Sequence, residues 1–234
     1  MRLLTPGNRC RQISQRGSRS FTGNRPESDP ILNGLVAWYR DSGTDWSGNG
    51  NDLTAVGSPF LVPGVGGGQA VSIGGGDGFS GTSVIPVVQP FSFGCFAQID
   101  EDEVNQVLFQ QTSTEDGFSV QLLLCTNGII IWAANANTGP NAEGHTDTGW
   151  HQLFGTIDGS GSQTLYVDGV PVSTQRNDFA TSPAIDDGLL QLGVDGQPFP
   201  IQFLGIWSRC LTPSEVLRLY GGGNGFDPTE TLPG

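Results

Sequence analysis

Gly149 to Thr174 reads GWHQLFGTIDGSGSQTLYVDGVPVST, and its second half decides the fold. From Thr164 to Val172, apolar and polar residues alternate, break at Asp168-Gly169 and alternate again. Asp-Gly between two alternating runs predicts a tight β-hairpin with a primed turn. Gly169 takes positive φ there without steric cost, and Asp168 tolerates it better than most residues. No second acid stands in register nearby. Asp168 is therefore expected to be a turn residue that sets the register of Leu165 and Val167, not a catalytic carboxylate.

The same signals recur outward from the hairpin. LVAWYR from Leu35, QAVSI from Gln69, FSFGCFAQI from Phe91, QVLFQ from Gln106 and FSVQLLL from Phe118 read as strands. So do GIIIWAA from Gly128, HQLFGTI from His151, LLQLGV from Leu189 and IQFLGIWS from Ile201. In FSVQLLL, Phe118, Val120, Leu122 and Leu124 share one face, with Ser119 and Gln121 on the other. Such strands cover a core from one side, which requires a second sheet. The 36 Gly and 15 Pro follow no collagen-like period and read as turns between short strands. One helix is well signalled, in CLTPSEVLRLYGGG. Thr212 is its N-cap, Pro213 its first residue and Glu215 the partner of a capping box; Val216, Leu219 and Tyr220 form its apolar face, and Gly221 ends it.

Charge divides the chain of 234 residues. It has no lysine, and six of its ten arginines (Arg2, Arg9, Arg11, Arg16, Arg19, Arg25) lie in the first 25 residues, so residues 1–30 carry a net +4. Residues 31–234 hold four Arg against 21 Asp and Glu, a net −17. Such a body repels nucleic acid. The arm is either a solvated tail or an electrostatic handle for an acidic protein surface, nucleic acid or an anionic membrane. It lacks the apolar run of a secretion signal, and no segment reaches the length of apolar sequence that spans a membrane. Cys10, Cys95, Cys125 and Cys210 form no CxxC pair, against zinc or a redox dithiol. Cys95 and Cys125 read as buried small hydrophobes, and Cys10, in the arm, as the thiol expected to be reactive or to bridge chains.

The order of these motifs resembles the laminin-G-like, concanavalin A-like jelly rolls, a family that includes pentraxins, legume lectins and many glycan-binding modules. The resemblance is carried by GLVAWYRDSGTDWSGNGNDLTA from Gly34, GGGQAVSIGGGDGFS from Gly66, and FSFGCFAQI with Phe96 near the family's usual aromatic. The quoted hairpin segment and IQFLGIWSRCLTPSEVLRLY from Ile201 complete it. It implies an all-β, antiparallel two-sheet sandwich of twelve to fourteen strands, with one short C-terminal helix and binding loops along the rim or concave face. The expected organisation is an arm over 1–30, a sandwich over 31–225 and a tail over 226–234. One departure stands out. Where the family's closing strand often carries an acidic pair, this chain has Gln202 and Phe203.

Several stretches invite chemistry. The loop DSGTDWSGNGND, Asp41 to Asp52, fails as an EF-hand, because Trp46 replaces the glycine and Asp52 the bidentate glutamate. The resemblance keeps a structural calcium open through Asp45, Asn49, Asn51 or Asp52, against a plain Asn-Gly turn. In IDEDEV, Ile99 to Val104, the three acids of a laminarinase-type E-x-D-x-E strand are absent, and a solvated turn is the simpler reading. Trp150-His151 has no nucleophile in context, and the resemblance, in which Trp-His commonly heads this strand, implies Trp150 in the core and His151 in the strand. The polar connection from Trp132 to Trp150 could present a planar-amide sugar site through Trp132, Asn135, Asn137 and His145, or serve as a solvated hairpin loop.

Two functions from different classes follow, neither an enzyme. In the first, the chain is a structural or display protein. Its Arg-rich arm docks on a larger assembly such as a phage or viral capsid, and its lectin-like sandwich faces outward on a virion or other extracellular surface, in many copies, for adhesion or glycan contact. In the second, it is a free-standing carbohydrate-binding module, secreted or on a cell surface. Removal of Met1 to Asp29 separates them, since display requires the arm for assembly.

Overall fold

The computed structural model describes residues 29–82, 90–99, 106–112, 119–125, 129–134, 139–142, 148–176, 189–193 and 197–231. The strands in chain order are β1 (Leu35–Tyr39), β2 (Thr54–Val56), β3 (Phe60–Pro63), β4 (Gln69–Ile73), β5 (Gly78–Thr82), β6 (Phe91–Ile99), β7 (Gln106–Thr112) and β8 (Ser119–Cys125). They continue as β9 (Ile129–Ala134), β10 (Asn141–Ala142), β11 (Gly149–Ile157), β12 (Ser162–Val167), β13 (Val170–Arg176), β14 (Leu189–Leu192) and β15 (Phe199–Trp207). Among the described residues one α-helix, α1 (Pro213–Tyr220), follows them.

These strands form two antiparallel sheets. Eight make the first, ordered β13-β12-β11-β6-β15-β4-β3, with β1 also on β15; seven make the second, ordered β10-β9-β8-β7-β14-β5-β2. The jelly-roll sandwich expected from the motif order is therefore present, with fifteen described strands where twelve to fourteen were expected. The strand runs read from sequence all form strands. β2, β3, β5 and the two-residue β10 lack a strong alternating signal, and three of them (β2, β3 and β10) are edge strands.

The Asp168-Gly169 turn has positive φ at both central residues, 53° and 75°, and pairs Val167 with Val170. Leu165 and Val167 point into the core, as its register requires. Between the sheets, Phe93, Phe109, Leu122, Leu153, Leu190 and Ile206 are among the fully buried side chains, each stabilising the fold by about 1.5–3 kcal/mol through removal from water. Phe93 and Phe109 stack across this layer, with centroids 4.8 Å apart.

A second core lies on the outer face of the first sheet. Trp38, Phe154, Tyr166 and Trp207 pack there beneath Leu211, Val216 and Leu219 of the α1 segment. The rings lie close to the strands only because two strand residues lack side chains. A Cβ at Gly205 would stand 2.4 Å from Trp207, and one at Gly94 would stand 2.3 Å from Phe154. Trp207 also donates its indole N–H to Ile31 O at 2.7 Å.

The capping box forms as predicted. Thr212 accepts from Glu215 N, Glu215 accepts from Thr212 N at 2.8 Å, and Gly221 ends the helix at φ 59°. Tyr220 is half-buried and stacks on Phe96. Trp150, expected in the core, is instead half-buried at the head of β11, on the same outer face of the strand as Phe154.

Packing contacts reach both ends of the described body. At its start, Asp29 caps Ile31 N at 3.1 Å and pairs with the Arg218 guanidinium. At its end, Asp227, Pro228 and Thr229 are buried, so packing continues beyond Gly225. The six arm arginines lie outside the described residues, as do the acids of the 100–103 run.

Candidate functional site

The 41–52 loop is organised by one carboxylate. Asp45 Oδ1 accepts from Trp38 N at 3.0 Å and Ser47 N at 2.9 Å; Oδ2 accepts from Ser47 Oγ at 2.8 Å and Asn51 N at 2.9 Å. A carboxylate offers about four acceptor directions, and all are engaged. Asp52 accepts from Asp45 N at 2.8 Å, while Asn49 and Asn51 aim amide donors at Val36 O, at 3.0 and 2.8 Å. A calcium ion requires converging oxygens, whereas this loop turns donors inward. Among the described residues no group of three or more His, Cys, Asp or Glu could hold a metal. The four residues suggested for calcium do come together, but their arrangement does not fit the ion.

The loop instead satisfies the outer edge of β1, whose other edge pairs with β15. Trp38 N meets Asp45, Trp38 O accepts from Trp46 N at 2.8 Å, and Val36 O takes the asparagine amides. An open sheet edge is a template for unwanted pairing, and this one is covered from within the chain. Tyr39 donates its hydroxyl to Asn51 O at 2.7 Å; burial, then the charges of Asp45 and Asp52, push its pKa well above the usual phenol range.

Of the residues suggested for a sugar loop, Trp132 falls in β9 opposite Leu122, whereas Asn135, Asn137 and His145 lie outside the described residues. Gln202, at the departure from the family pattern, is 3% exposed and accepts from Val65 N at 2.8 Å, fixing the 64–68 turn. Beside it, Phe203 takes φ 55° in a bulge of β15 and stacks on Trp38 at 5.8 Å. In place of an acidic pair, these positions hold a structural amide and an aromatic.

A polar surface that the motif reading missed lies on the outer face of the seven-stranded sheet. Strand pairing sets Thr54 of β2, Ser80 of β5, Gln191 of β14, Gln110 of β7 and Gln121 of β8 in one continuous row. Their neighbours Phe79, Leu190, Leu192, Phe109, Val120 and Leu122 are buried, so the row faces outward by strand alternation. Gln121 Nε2 donates to Gln110 Oε1 at 3.1 Å. Five strands at the usual spacing make the row roughly 19 Å long. It is a line of amides and hydroxyls with planar donors and acceptors, the groups that complement sugar hydroxyls. Each strand contributes an outward Gln, Ser or Thr, but only the register aligns them.

The family model of the concanavalin A-like lectin/glucanases superfamily matches residues 66–217, more than half of the chain. The chain belongs to this superfamily. No curated protein matches it. Among solved structures, this superfamily member resembles the binding domain of Paraclostridial Mosquitocidal Protein 1, with TM-score 0.65, 15% identity, and coverage of 81% of this chain and 52% of that one. It also resembles the binding domain of botulinum neurotoxin DC in complex with SialylT, with TM-score 0.65, 13% identity, and coverage of 82% and 52%. Domain 4 of an extracellular arabinanase from Geobacillus stearothermophilus, in complex with arabinotriose, matches with TM-score 0.60 and 21% identity, over 79% of this chain and 97% of that domain. The chain thus spans about half the length of the toxin binding domains it matches and nearly all of the arabinanase domain.

Proposed function

We propose that the sandwich is a non-catalytic, lectin-like module that binds neutral glycans on the outer face of its seven-stranded sheet. The observation that carries this reading is the in-register row Gln191–Gln110–Gln121, flanked by Ser80 and Thr54. Glycoside hydrolysis uses a pair of carboxylic acids, and this row presents amides and hydroxyls instead. Whole-domain likeness to an arabinotriose-bound module supports the substrate class. Charge supports neutral sugars over sialylated or sulfated ones. The body from residue 31 carries net −17, and Arg40, Arg209 and Arg218 are paired with Asp227, Glu215 and Asp29.

The test is a glycan array probed with the full chain and with Gln110→Ala/Gln121→Ala. The reading expects neutral oligosaccharide signals that fall about tenfold or more in the double variant, the effect of losing one or two net hydrogen bonds. Signals confined to anionic glycans, or unchanged in the variant, would overturn it.

A second reading, display on a larger assembly such as a virion or other extracellular particle, gains support from geometry. The root of the arm is fastened on the α1 side of the eight-stranded sheet: Asp29 to Arg218, Asn33 O and Pro30 O to Arg209. The amide row lies on the opposite face of the sandwich. A basic arm docked on an acidic partner would thus leave the row facing away. Removing residues 1–28, with Asp29 kept as a cap, should leave a folded body that no longer joins the particle. Assembly without the arm would sink the docking role.

A further inference from the structure

Trp46 is 46% exposed, yet it stands on a loop tied to β1 by hydrogen bonds. Beneath it, the Arg40 guanidinium lies 4.2 Å from the ring centroid. Arg40 is itself fixed, paired with the Asp227 carboxylate and donating to Thr229 Oγ1 at 3.0 Å. The backbone on either side is pinned by Trp46 N on Trp38 O and by the four bonds of Asp45. One ring face is covered by a cation, so the exposed surface is the opposite face and the ring edge.

We propose that Trp46 is an aromatic platform for a neutral sugar ring, a second site separate from the amide row of the seven-stranded sheet. This rests on the glycan-binding reading above. The electron-rich face of an indole attracts the partly positive C–H groups on the apolar face of a sugar, as it attracts other positive edges. Thr44, two residues before Trp46 on the same loop, is exposed and carries a hydroxyl. A cationic ligand is the rival for an exposed indole, but Arg40 already occupies the ring's quadrupole from below and would repel a second cation above. An anionic ligand would meet Asp41 and the net −17 of the body. The neutral ring is what remains.

Isothermal titration of the full chain with arabinotriose, maltotriose and cellotriose, alongside tryptophan fluorescence, tests the site. At least one sugar is expected to give a saturable blue shift that Gln110→Ala/Gln121→Ala retains. Trp46→Ala should abolish that shift and weaken the corresponding binding about tenfold, the scale of one aromatic stacking contact. A melting curve for Trp46→Ala that matches the parent confirms the fold is intact, and Trp46→Phe should restore most of the affinity by preserving the ring. Sugar binding unchanged in Trp46→Ala but lost in the glutamine variant would overturn this inference and leave the amide-row reading standing. Binding lost in Trp46→Ala alone would do the reverse. No binding of any of the three sugars would overturn both, and a Trp46-dependent shift with choline would overturn the sugar assignment.

Discussion

Asp168 Oδ2 lies 2.9 Å from His151 Nδ1, so the tip of the β12–β13 hairpin is bolted to the head of β11. The same carboxylate accepts from Gln152 N at 2.9 Å, and Asp168 N donates to Gln152 O at 2.9 Å. A residue with the φ of a turn thus also ties three strands together. Asp168→Ala is expected to cost about 2–4 kcal/mol, from left-handed strain on a residue with no polar side chain and from the lost hydrogen bonds. Asp168→Asn, which tolerates the turn, should cost less. Urea midpoints of the two variants decide the order.

Gln202 and the 64–68 turn fit each other closely. A Cβ at Gly64 would stand 2.1 Å from Gln202 Oε1. Gln202→Leu strands the Val65 N–H in the interior and is expected to cost about 1–3 kcal/mol in chemical denaturation. Gly64→Ala should destabilise by pushing the same amide away. Wild-type stability in either variant would show that the turn is held by something else.

Acid should loosen the α1 clamp. The Arg209 guanidinium, 2.7 Å from Glu215, lowers that carboxyl from its ordinary 4.5 to about 2, with help from Thr212. A folded-state pKa below the unfolded one means that the unfolded chain binds more protons between the two values. The stabilisation is therefore present above pH 4.5 and is lost as pH falls toward about 2. Glu215→Gln should lower stability at neutral pH and flatten the slope of stability against pH across that window. An unchanged slope would contradict this.

Calcium at millimolar concentration is expected to leave the melting temperature unchanged, because the Asp45 oxygens already hold four donors. Asp45→Ala should cost at least about 2 kcal/mol by stranding N–H groups and opening the edge of β1. A calcium-dependent rise in the wild-type melting curve would reverse this account of the loop.

Burial pushes the Cys95 thiol up to about 12, and only 2% of the residue is exposed. Iodoacetamide at pH 8 should leave Cys95 unmodified in the native protein and modify it in urea, read by peptide mass mapping. Burial raises half-buried Cys210 as well, so it should react more slowly than a free thiol. Native labelling of Cys95 would indicate that the β6 core opens locally.

Local chemistry determined the parts of this protein that the sequence made legible. The Asp168-Gly169 turn, the Thr212–Glu215 capping box and the alternation through Val120, Gln121 and Leu122 depend on neighbours a few residues apart, and each appears where its pattern placed it. The short strands β2 and β3 went unread because edge positions with one partner need little alternation, and Phe60 and Leu61 are both exposed there. The Asp41–Asp52 loop looked like a cation loop because spacing shows which oxygens are present but not which donors reach them. Only the folded chain brings Trp38 N and Val36 O to that loop. Register likewise decided the candidate site: Gln110 and Gln121 are ordinary outward residues on consecutive strands, Gln191 lies on a strand far along the chain, and they make one line of amides only when β14 pairs with β7 and β7 with β8.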